Sequence, residues 1–236
     1  MTEAIVSLIS NGTGFLKGVV GLKCFLNSYA PSYTHALIVE QDKYKDKHLD
    51  YLRNIGYTLH IVAPLRSLPC GFAASRWPFT FTKLRLWELP YTKVLYIDAD
   101  AAPFSSVQPI LNVDCTLGAT STRRCATRFR SGMLLIQPNI EIFNNLQTLL
   151  NGDPTKNGAK LGDQGVLNIY FKRQFTSLPH HFHFVDWGWK VPHDIIIGHL
   201  RPKPWVDTTK VWKSMAPFTR QWKAAYNQMI EHFGPL

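Results

Sequence analysis

The amino-acid sequence predicts an α/β protein with a mostly parallel central sheet flanked by helices. Three apolar, β-branched runs near the beginning have the length of buried strands: residues 4–10, 35–39 and 57–62. Two segments with helical spacing or an amphipathic pattern separate them, residues 15–27 and 46–55. Strands that alternate with helices favour parallel pairing, because each crossover helix returns the chain to the same end of the sheet.

The later part of the chain continues this alternation. Further strands are predicted at residues 94–97, 117–120, 131–136 and 195–199, and further helices at 81–89, 141–150, 166–170 and 211–233. Loops are predicted where glycine, proline or polar residues gather, at residues 11–14, 64–78, 107–114 and the arginine-rich 122–130. Because no repeat, low-complexity tract or linker is visible, a single domain over residues 1–236 is expected.

The composition indicates a globular protein with anionic partners. Of the 236 residues, 45% are hydrophobic and 18% are charged, as in folded domains rather than disordered chains. The formal net charge of +10 favours ligands such as nucleotides or phosphorylated sugars. Basic residues are scattered and form no run of five, which argues against dedicated nucleic-acid binding.

The cysteines and the start of the chain bear on location. Cys24, Cys70, Cys115 and Cys125 form no CxxC pair and no zinc-like spacing, so reduced thiols in a cytoplasmic protein are expected. No signal peptide is visible, and no run approaches the roughly 20 apolar residues of a membrane span. These features are also compatible with a domain of a longer protein.

Two carboxylates follow the strand predicted at residues 94–97. Asp98 and Asp100 leave the core together where this strand ends, and Ala99 between them keeps the turn compact. Oxygen ligands grouped in this way suit Mg²⁺ or Mn²⁺, which normally also hold substrate phosphates. Aspartate is also common in solvated turns, so the motif by itself does not decide between the two interpretations.

Polar motifs also fall at other predicted strand ends and at one helix start: Ser10-Asn11, Asp163-Gln164, and His199 with Lys203. In an open α/β sheet the carboxyl ends of the strands line one crevice, where ligands bind. Two carboxylates and one imidazole suit Mn²⁺, and a lysine just beyond the histidine can neutralise a diphosphate. We therefore expect these motifs to meet at one site.

Simpler interpretations stand beside these. His199 follows an apolar strand and also fits a hydrogen-bonded core histidine. Asp163 also fits a helix N-cap, where the helix dipole favours an acid. The group His180, His181 and His183 has no carboxylate or cysteine at ligand spacing, and we interpret it as loop or acceptor-groove residues.

Several segments, taken in order, have the sequence and spacing of a known family: LIS-N near the start, TFTKLRLW, VLYIDADA, FRSGMLLIQPN, GDQGVLN and H-x-x-x-K-P-W. Along almost the whole chain, the sequence resembles the glycogenin-like members of glycosyltransferase family 8. The resemblance implies a GT-A fold, a UDP-sugar donor, Mn²⁺ or Mg²⁺ as cofactor, and transfer with retention of anomeric configuration.

The resemblance also implies roles for individual residues. Three match the family's metal ligands: Asp98, Asp100 and His199. Seven match donor contacts: Leu8, Ser10, Asn11, Arg76, Lys83, Ala99 and Ser131. Asp163 and Gln164 match the pair that faces the sugar and its reacting carbon, and Lys203 matches the pyrophosphate lysine. Asp163, Gln164 and Lys203 are therefore the expected catalytic residues.

This chain departs from the family pattern at positions near the sugar and the phosphates. Arg130 replaces the usual asparagine before Ser-Gly, Phe15 replaces a frequent tyrosine after a loop one residue longer, and Lys160 stands in place of a common aspartate. The segment from His199 to Lys203 is two residues shorter than usual and has no glycine. These changes leave the donor sugar open between UDP-glucose and UDP-galactose.

The resemblance leaves the acceptor and the mechanism open as well. Glycogenin glucosylates its own tyrosine, but residues 179–195, where that acceptor would lie, contain no tyrosine. We therefore expect a glycan or glycoprotein acceptor rather than a self-glucosylating primer. The alternatives are a sugar-nucleotide-binding protein with weak or no turnover and, less in keeping with the motifs, a nucleic-acid-binding protein. Retention would use either a covalent intermediate on Asp163 or same-face attack guided by Gln164, and the resemblance allows a homodimer.

Overall fold

The structure, a computed structural model, describes residues 2–10, 12–67, 79–123, 125–153, 155–185, 191–200, 203–206 and 216–236. Asn11 and Arg76, two of the expected donor contacts, lie outside these ranges. So do Cys70, most of the predicted loop at residues 64–78 and the first part of the predicted C-terminal helix.

Eleven strands occur among the described residues: β1 (Glu3–Ile9), β2 (Thr34–Glu40), β3 (Thr58–Val62), β4 (Lys93–Ile97), β5 (Ala101–Pro103), β6 (Leu117–Thr122), β7 (Cys125–Phe129), β8 (Met133–Ile136), β9 (Thr176–Leu178), β10 (His183–Val185) and β11 (Ile197–His199). The main sheet has the order β3-β2-β1-β4-β8-β6-β7, and β9 pairs with β6. The pairs β3–β2, β2–β1 and β1–β4 are parallel. β8 runs antiparallel to β4 and β6, and β7 runs antiparallel to β6. This sheet confirms the predicted α/β class.

Helices cover the sheet. Six α-helices are described: α1 (Gly12–Tyr29), α2 (Asp46–Asn54), α3 (Gln108–Leu111), α4 (Ile140–Asn151), α5 (Asp163–Phe171) and α6 (Ala216–Phe233). Three segments form 3₁₀-helices: Thr80–Glu88, Ala159–Leu161 and His180–Phe182. Local signals account for some of the helix ends. The Asn139 side chain accepts hydrogen bonds from two backbone N–H groups in the first turn of α4, and Gly56 has a φ of +92° beyond α2.

The two faces of the main sheet bury separate hydrophobic clusters. Along β1, Ile5 and Ile9 belong to the cluster under α1 and α6, whereas Val6 and Leu8 belong to the cluster under α4 and α5. Since successive strand residues point to opposite faces, one apolar strand supplies both cores. This explains why β1 reads as a continuous apolar run rather than an alternating one.

A second, three-stranded sheet builds one wall of the site. β11 pairs with β10 in parallel and with β5 antiparallel, so that His199 lies opposite Ala101. β5 begins directly after the Asp98–Asp100 turn. The pairing therefore brings His199 to the carboxylates, although almost a hundred residues separate them along the chain.

Glycines near the start of the chain serve helix packing rather than the predicted turn. α1 begins at Gly12, so the loop predicted at residues 11–14 is wrong for most of its length. A Cβ at Gly14 would lie 2.6 Å from the Trp205 indole nitrogen, and one at Gly21 would lie 2.3 Å from Trp222. These positions are glycine because two tryptophan rings pack directly on the helix backbone.

Other local predictions also need correction. The helix predicted at residues 81–89 is a 3₁₀-helix, and the loop predicted at 107–114 contains the short helix α3. The arginine-rich segment 122–130 is not a loop, because it contains strand β7, whose middle residues are exposed. β5, β9 and β10 were not predicted, since three residues are too few to show a strand alternation.

Candidate functional site

The acidic turn is built by backbone hydrogen bonds at the end of β4. The Asp98 N–H donates to Gly132 O at 2.9 Å, and the Ala101 N–H donates to Asp98 O at 2.9 Å. The Leu200 N–H donates to Asp100 O at 2.7 Å, which ties the turn to the residue after β11. The turn is thus held from both sides by backbone groups, and its carboxylates remain available for other contacts.

Asp98, Asp100 and His199 come together as the sequence predicts. One ligand atom from each lies within 4.8 Å of the others, and His199 Nε2 is 3.1 Å from Asp100 Oδ1. Ligand atoms that share one ion at bond lengths near ~2.1 Å lie up to about 4.2 Å apart. The three atoms therefore fit a single divalent cation after small side-chain adjustments, and their oxygen and imidazole chemistry suits Mn²⁺.

Lys83 links this cluster to the start of α5. Its Nζ lies 3.0 Å from Asp98 Oδ1 and 2.8 Å from Asp163 Oδ2, and it donates to Ser131 O at 3.1 Å. The 3₁₀-helix Thr80–Glu88 positions this side chain, which is only 5% exposed. Lys83 thus joins residues from three separate segments of the chain.

The buried charges shift one another's pKa values. Burial alone would lower the pKa of Lys83, but the negative charges of Asp163 and Asp98 outweigh it and raise that pKa. Burial raises the pKa of Asp98, and the positive charge of Lys83 opposes that rise. Burial also raises the pKa of Tyr96 well above its ordinary value, so its hydroxyl stays protonated and donates to Asp98 Oδ1 at 2.6 Å.

Asp163 and Gln164 lie at the first turn of α5, next to Ser131. The Ser131 N–H donates to Gln164 Oε1 at 3.4 Å, and the Asp163 N–H donates to Thr80 Oγ1 at 3.3 Å. Asp163 is not the N-cap, because Gly162 occupies that position with a φ of +71°. The carboxylate contacts Lys83 instead of the helix N–H groups, which weakens the simpler capping interpretation.

Asn168, which the sequence analysis did not single out, makes three hydrogen bonds beside the Asp163-Gln164 pair. Its side chain accepts from the Phe129 N–H at 2.9 Å and donates to Phe129 O at 2.9 Å and Gln164 O at 2.8 Å. It therefore joins the end of β7 to the first turn of α5. The sequence feature that could have indicated this contact is its position four residues after Gln164, on the same face of the helix.

His183 was interpreted from the sequence as a loop or acceptor-groove residue, and the loop assignment is wrong, because His183 is the first residue of β10. It is 3% exposed, and its Nε2 is 3.4 Å from His199 Nδ1. Burial, and next the nearby His199, lower the pKa of His183 well below its ordinary value, so the ring is neutral. Its neighbours His180 and His181 are exposed and half-buried.

The remaining expected site residues surround this cluster. Leu8 is buried in β1, and Ser10 follows that strand. A Cβ at Gly18 would lie 2.7 Å from Ala99 O, so α1 passes directly over the acidic turn. The Lys203 Nζ lies 3.8 Å from the centroid of the Phe15 ring and 5.6 Å from that of the Trp205 ring.

Known proteins have sequences similar to this chain. The family model for glycosyl transferase family 8 matches residues 15–214. Galactinol synthase 1 of Arabidopsis thaliana is 24% identical over an alignment of 254 positions, which covers 88% of this chain and 73% of that protein. Glycogenin-1 of Mus musculus is 34% identical over 108 residues, which cover 45% of this chain and 31% of that protein.

Solved structures support the fold. The galactosyltransferase LgtC, in complex with donor and acceptor sugar analogs, superposes with a TM-score of 0.66 at 17% identity, over 95% of both chains. Apo GlyE of Streptococcus pneumoniae gives a TM-score of 0.70 at 19% identity, over 98% of this chain and 64% of GlyE. The GT-A fold is therefore confirmed.

Among the described residues, every helix falls short of the length or apolar character that crossing a membrane requires.

The family match spans most of the sequence and includes the acidic turn, Lys83, the Asp163-Gln164 pair and His199. The chain belongs to glycosyltransferase family 8.

Proposed function

We propose that this protein transfers a hexose from a UDP-sugar to a hydroxyl group of a glycan or glycoprotein, with retention of anomeric configuration. The carrying observation is the cluster of Asp98, Asp100 and His199, which Lys83 connects to Asp163. A sugar-binding protein without turnover has no need for a metal cluster coupled to a buried carboxylate. The fold and the family make a sugar-transfer site the natural use of this arrangement.

Asp98, Asp100 and His199 would hold Mn²⁺, with Mg²⁺ as the alternative. The bound ion would act as a Lewis acid that stabilises the negative charge on the departing UDP. Lys203 lies four residues beyond His199 and would add a positive charge to the diphosphate when it leaves the Phe15 ring. The net positive charge of the protein favours binding of the anionic donor.

The donor would lie along the carboxyl ends of β1 and β4. Leu8, Ser10, Asn11 and Arg76 would contact the nucleoside, and Ala99 would approach its ribose through the backbone. Ser131 and Lys83 would face the sugar side of the donor. Ser10 and Ala99 lie just beyond the ends of the adjacent strands β1 and β4, and α1 passes over Ala99 at Gly18, which supports this assignment.

Asp163 and Gln164 would face the reacting carbon of the sugar. In one route an Asp163 oxygen bonds to that carbon as the bond to UDP breaks, and the acceptor hydroxyl then displaces the carboxylate and loses its proton to a phosphate oxygen of UDP. In the other route the acceptor attacks on the face that UDP leaves, and Gln164 orients the sugar. In both, the carboxylate fixed by Lys83 stabilises the positive charge that develops on the sugar.

The donor sugar is proposed to be glucose or galactose. The names of galactinol synthase and of the galactosyltransferase LgtC favour galactose. The similarity to glycogenin-1 supports glucose as the alternative. The lack of tyrosine in residues 179–195 favours a separate acceptor molecule. A cytoplasmic location and a homodimer complete the proposal.

A transfer assay on a glycan array with a panel of UDP-sugars tests the proposed function. We expect transfer from one UDP-hexose in Mn²⁺ and none after chelation of the metal. Intact-mass measurement after incubation with the same donors tests the acceptor, since added hexose units on the protein would show self-glucosylation. Binding of UDP-sugars without hydrolysis or transfer to any acceptor would instead support a binding protein.

A further inference from the structure

Two buried imidazoles lie side by side behind the proposed metal site. His183 Nε2 is 3.4 Å from His199 Nδ1, and the two side chains are 3% and 5% exposed. In the β10–β11 pairing, His183 lies opposite Ile197 and Val185 lies opposite His199. The histidines are therefore diagonal neighbours on one face of the small sheet, held there by backbone hydrogen bonds.

The two nitrogens of His199 have different surroundings. Nε2 is directed to Asp100 Oδ1 at 3.1 Å, on the side of the acidic turn, and Nδ1 is directed to His183. A neutral imidazole binds a metal ion through the nitrogen that carries no proton. To bind through Nε2, His199 must carry its proton on Nδ1, and that N–H then needs an acceptor.

We propose that His183 is a positioning residue that accepts a hydrogen bond from His199 Nδ1–H and so presents His199 Nε2 to the metal ion. The proposal rests on the proposed function, because it assumes that His199 binds Mn²⁺. His183 does not touch substrate. It acts through the tautomer and the ring orientation of His199.

Gly132 closes this arrangement from a third side. A Cβ on Gly132 would lie 3.0 Å from His183 Cε1, 3.0 Å from His199 Nδ1 and 3.1 Å from Asp98 Oδ2. The backbone at Gly132 thus confines both rings and one carboxylate, and leaves the His199 ring little freedom to turn its nitrogens away. The same residue accepts the hydrogen bond from the Asp98 N–H.

A packing role alone does not explain a histidine at this position. The residues that follow it in β10, Phe184 and Val185, are apolar and buried, so an apolar residue would suit the strand. With its proton on Nδ1, His183 has no partner for that nitrogen among the described residues. A buried polar atom without a partner costs stability, and a functional contact at the other nitrogen accounts for keeping it.

The test compares two substitutions of similar length. His183→Gln retains an acceptor oxygen near the position of Nε2, whereas His183→Met retains length and burial without a strong acceptor. Mn²⁺ affinity is measured by electron paramagnetic resonance of the free ion, without any sugar nucleotide. We expect the Met variant to bind Mn²⁺ about 10- to 100-fold more weakly than wild type, and the Gln variant to stay close to wild type.

Thermal unfolding without metal separates positioning from folding. The proposal predicts that the Met variant retains the metal-free melting temperature of the Gln variant while it loses Mn²⁺ affinity. Wild-type affinity in a folded Met variant would overturn the proposal and leave the proposed function intact. If wild type itself bound no Mn²⁺, the proposed function would fail together with this inference.

A measurement on wild type covers the case in which the Met variant does not fold. In ¹⁵N-histidine spectra recorded with diamagnetic Mg²⁺, and assigned with His199→Asn, we expect His199 to carry its proton on Nδ1. A His199 with its proton on Nε2 in the metal-bound protein would contradict the proposal.

Discussion

Lys83 and Asp163 form a buried ion pair, with 2.8 Å between Nζ and Oδ2 and side chains that are 5% and 9% exposed. The same ammonium lies 3.0 Å from Asp98, so one lysine balances charge in the metal cluster and at the proposed reaction face. Removing this lysine would leave the buried Asp163 and the half-buried Asp98 without their cation, and we expect both stability and activity to decrease.

Lys83→Met tests this coupling. Loss of one partner from a buried ion pair costs about 3–5 kcal/mol, because the remaining charge stays buried without compensation. We expect a loss of that size in the free energy of urea unfolding without metal, and a smaller loss with Mn²⁺, which would neutralise Asp98. Arg53→Met is the matched control, since the exposed Arg53–Asp50 pair contributes less than about 1 kcal/mol. An equal loss in the two variants would contradict the assigned role of Lys83.

Asp100→Ala tests the metal cluster. The substitution removes one of three ligands and the carboxylate that His199 Nε2 faces. We expect Mn²⁺-dependent hydrolysis or transfer of the UDP-sugar to fall at least ~100-fold, as when one strong electrostatic stabiliser of a transition state is removed. Asp50→Ala, at an exposed position on α2, is expected to keep wild-type turnover. Full activity of Asp100→Ala would place the metal site elsewhere.

Asp163→Asn tests the reaction face. Asparagine has nearly the same shape, but it cannot act as a nucleophile or carry a negative charge toward the sugar. We expect kcat to fall by about 10²-fold or more with little change in KM, because the lost interaction strengthens only as the transition state forms. Steady-state kinetics measure kcat and KM, and Asp153→Asn, a substitution at an exposed aspartate, is the control. Near-normal turnover in Asp163→Asn would exclude the covalent route.

The sequence predicted those parts of the site that depend on strand ends. Asp98, Asp100 and His199 were expected to meet because parallel strands present their carboxyl ends at one edge of a sheet. They do meet, but β11 lies in the separate three-stranded sheet, and its antiparallel pairing with β5 brings His199 to the acidic turn. Lys83 was expected as a donor contact, but its two ion pairs depend on how the 3₁₀-helix Thr80–Glu88 faces α5 and β4. No local pattern reports that packing.

The missed residues have the same cause. His183 appeared to lack ligand partners because its neighbour, His199, becomes adjacent only through the β10–β11 pairing. Gly14 was interpreted as a turn residue because Trp205, which packs against it, lies almost two hundred residues later in the chain. Spacing along the chain carries information about local geometry, and these contacts are set by tertiary packing.

Gly21→Ala tests the packing of α1 against α6. Within a helix, alanine is intrinsically more favourable than glycine by about 1 kcal/mol. Here the added Cβ would lie 2.3 Å from Trp222, a buried ring stacked on Tyr226, so overpacking at about 1–3 kcal/mol outweighs that gain. We expect a net decrease in the free energy of unfolding, measured by urea denaturation. Replacing Trp222 by Leu in the same variant should restore part of the loss, and no such coupling would contradict this account.

The buried pair Lys23 and His35 predicts a loss of stability in acid. Lys23 Nζ lies 2.7 Å from His35 Nδ1, and the neutral His35 ring can donate from Nε2 to Ala30 O at 3.0 Å. Burial, with the charge of Lys23 next, lowers the pKa of His35 from 6.5 to about 4. Burial also lowers the pKa of Lys23 to about 8.

The direction of each pH effect on stability depends on whether the folded or the unfolded state binds more protons. Between pH 6.5 and 4 the unfolded chain protonates His35 while the folded protein does not, so stability falls by up to about 3 kcal/mol as the pH decreases through that window. Between pH 8 and 10.5 the unfolded chain keeps the Lys23 proton that the folded protein releases, so stability from this group rises with pH. Urea unfolding at pH 7, 5.5, 4.5 and 9.5 measures both slopes. His35→Gln should remove the acid slope and Lys23→Met the alkaline one, and parallel curves for wild type and variants would show that other groups cause the pH dependence.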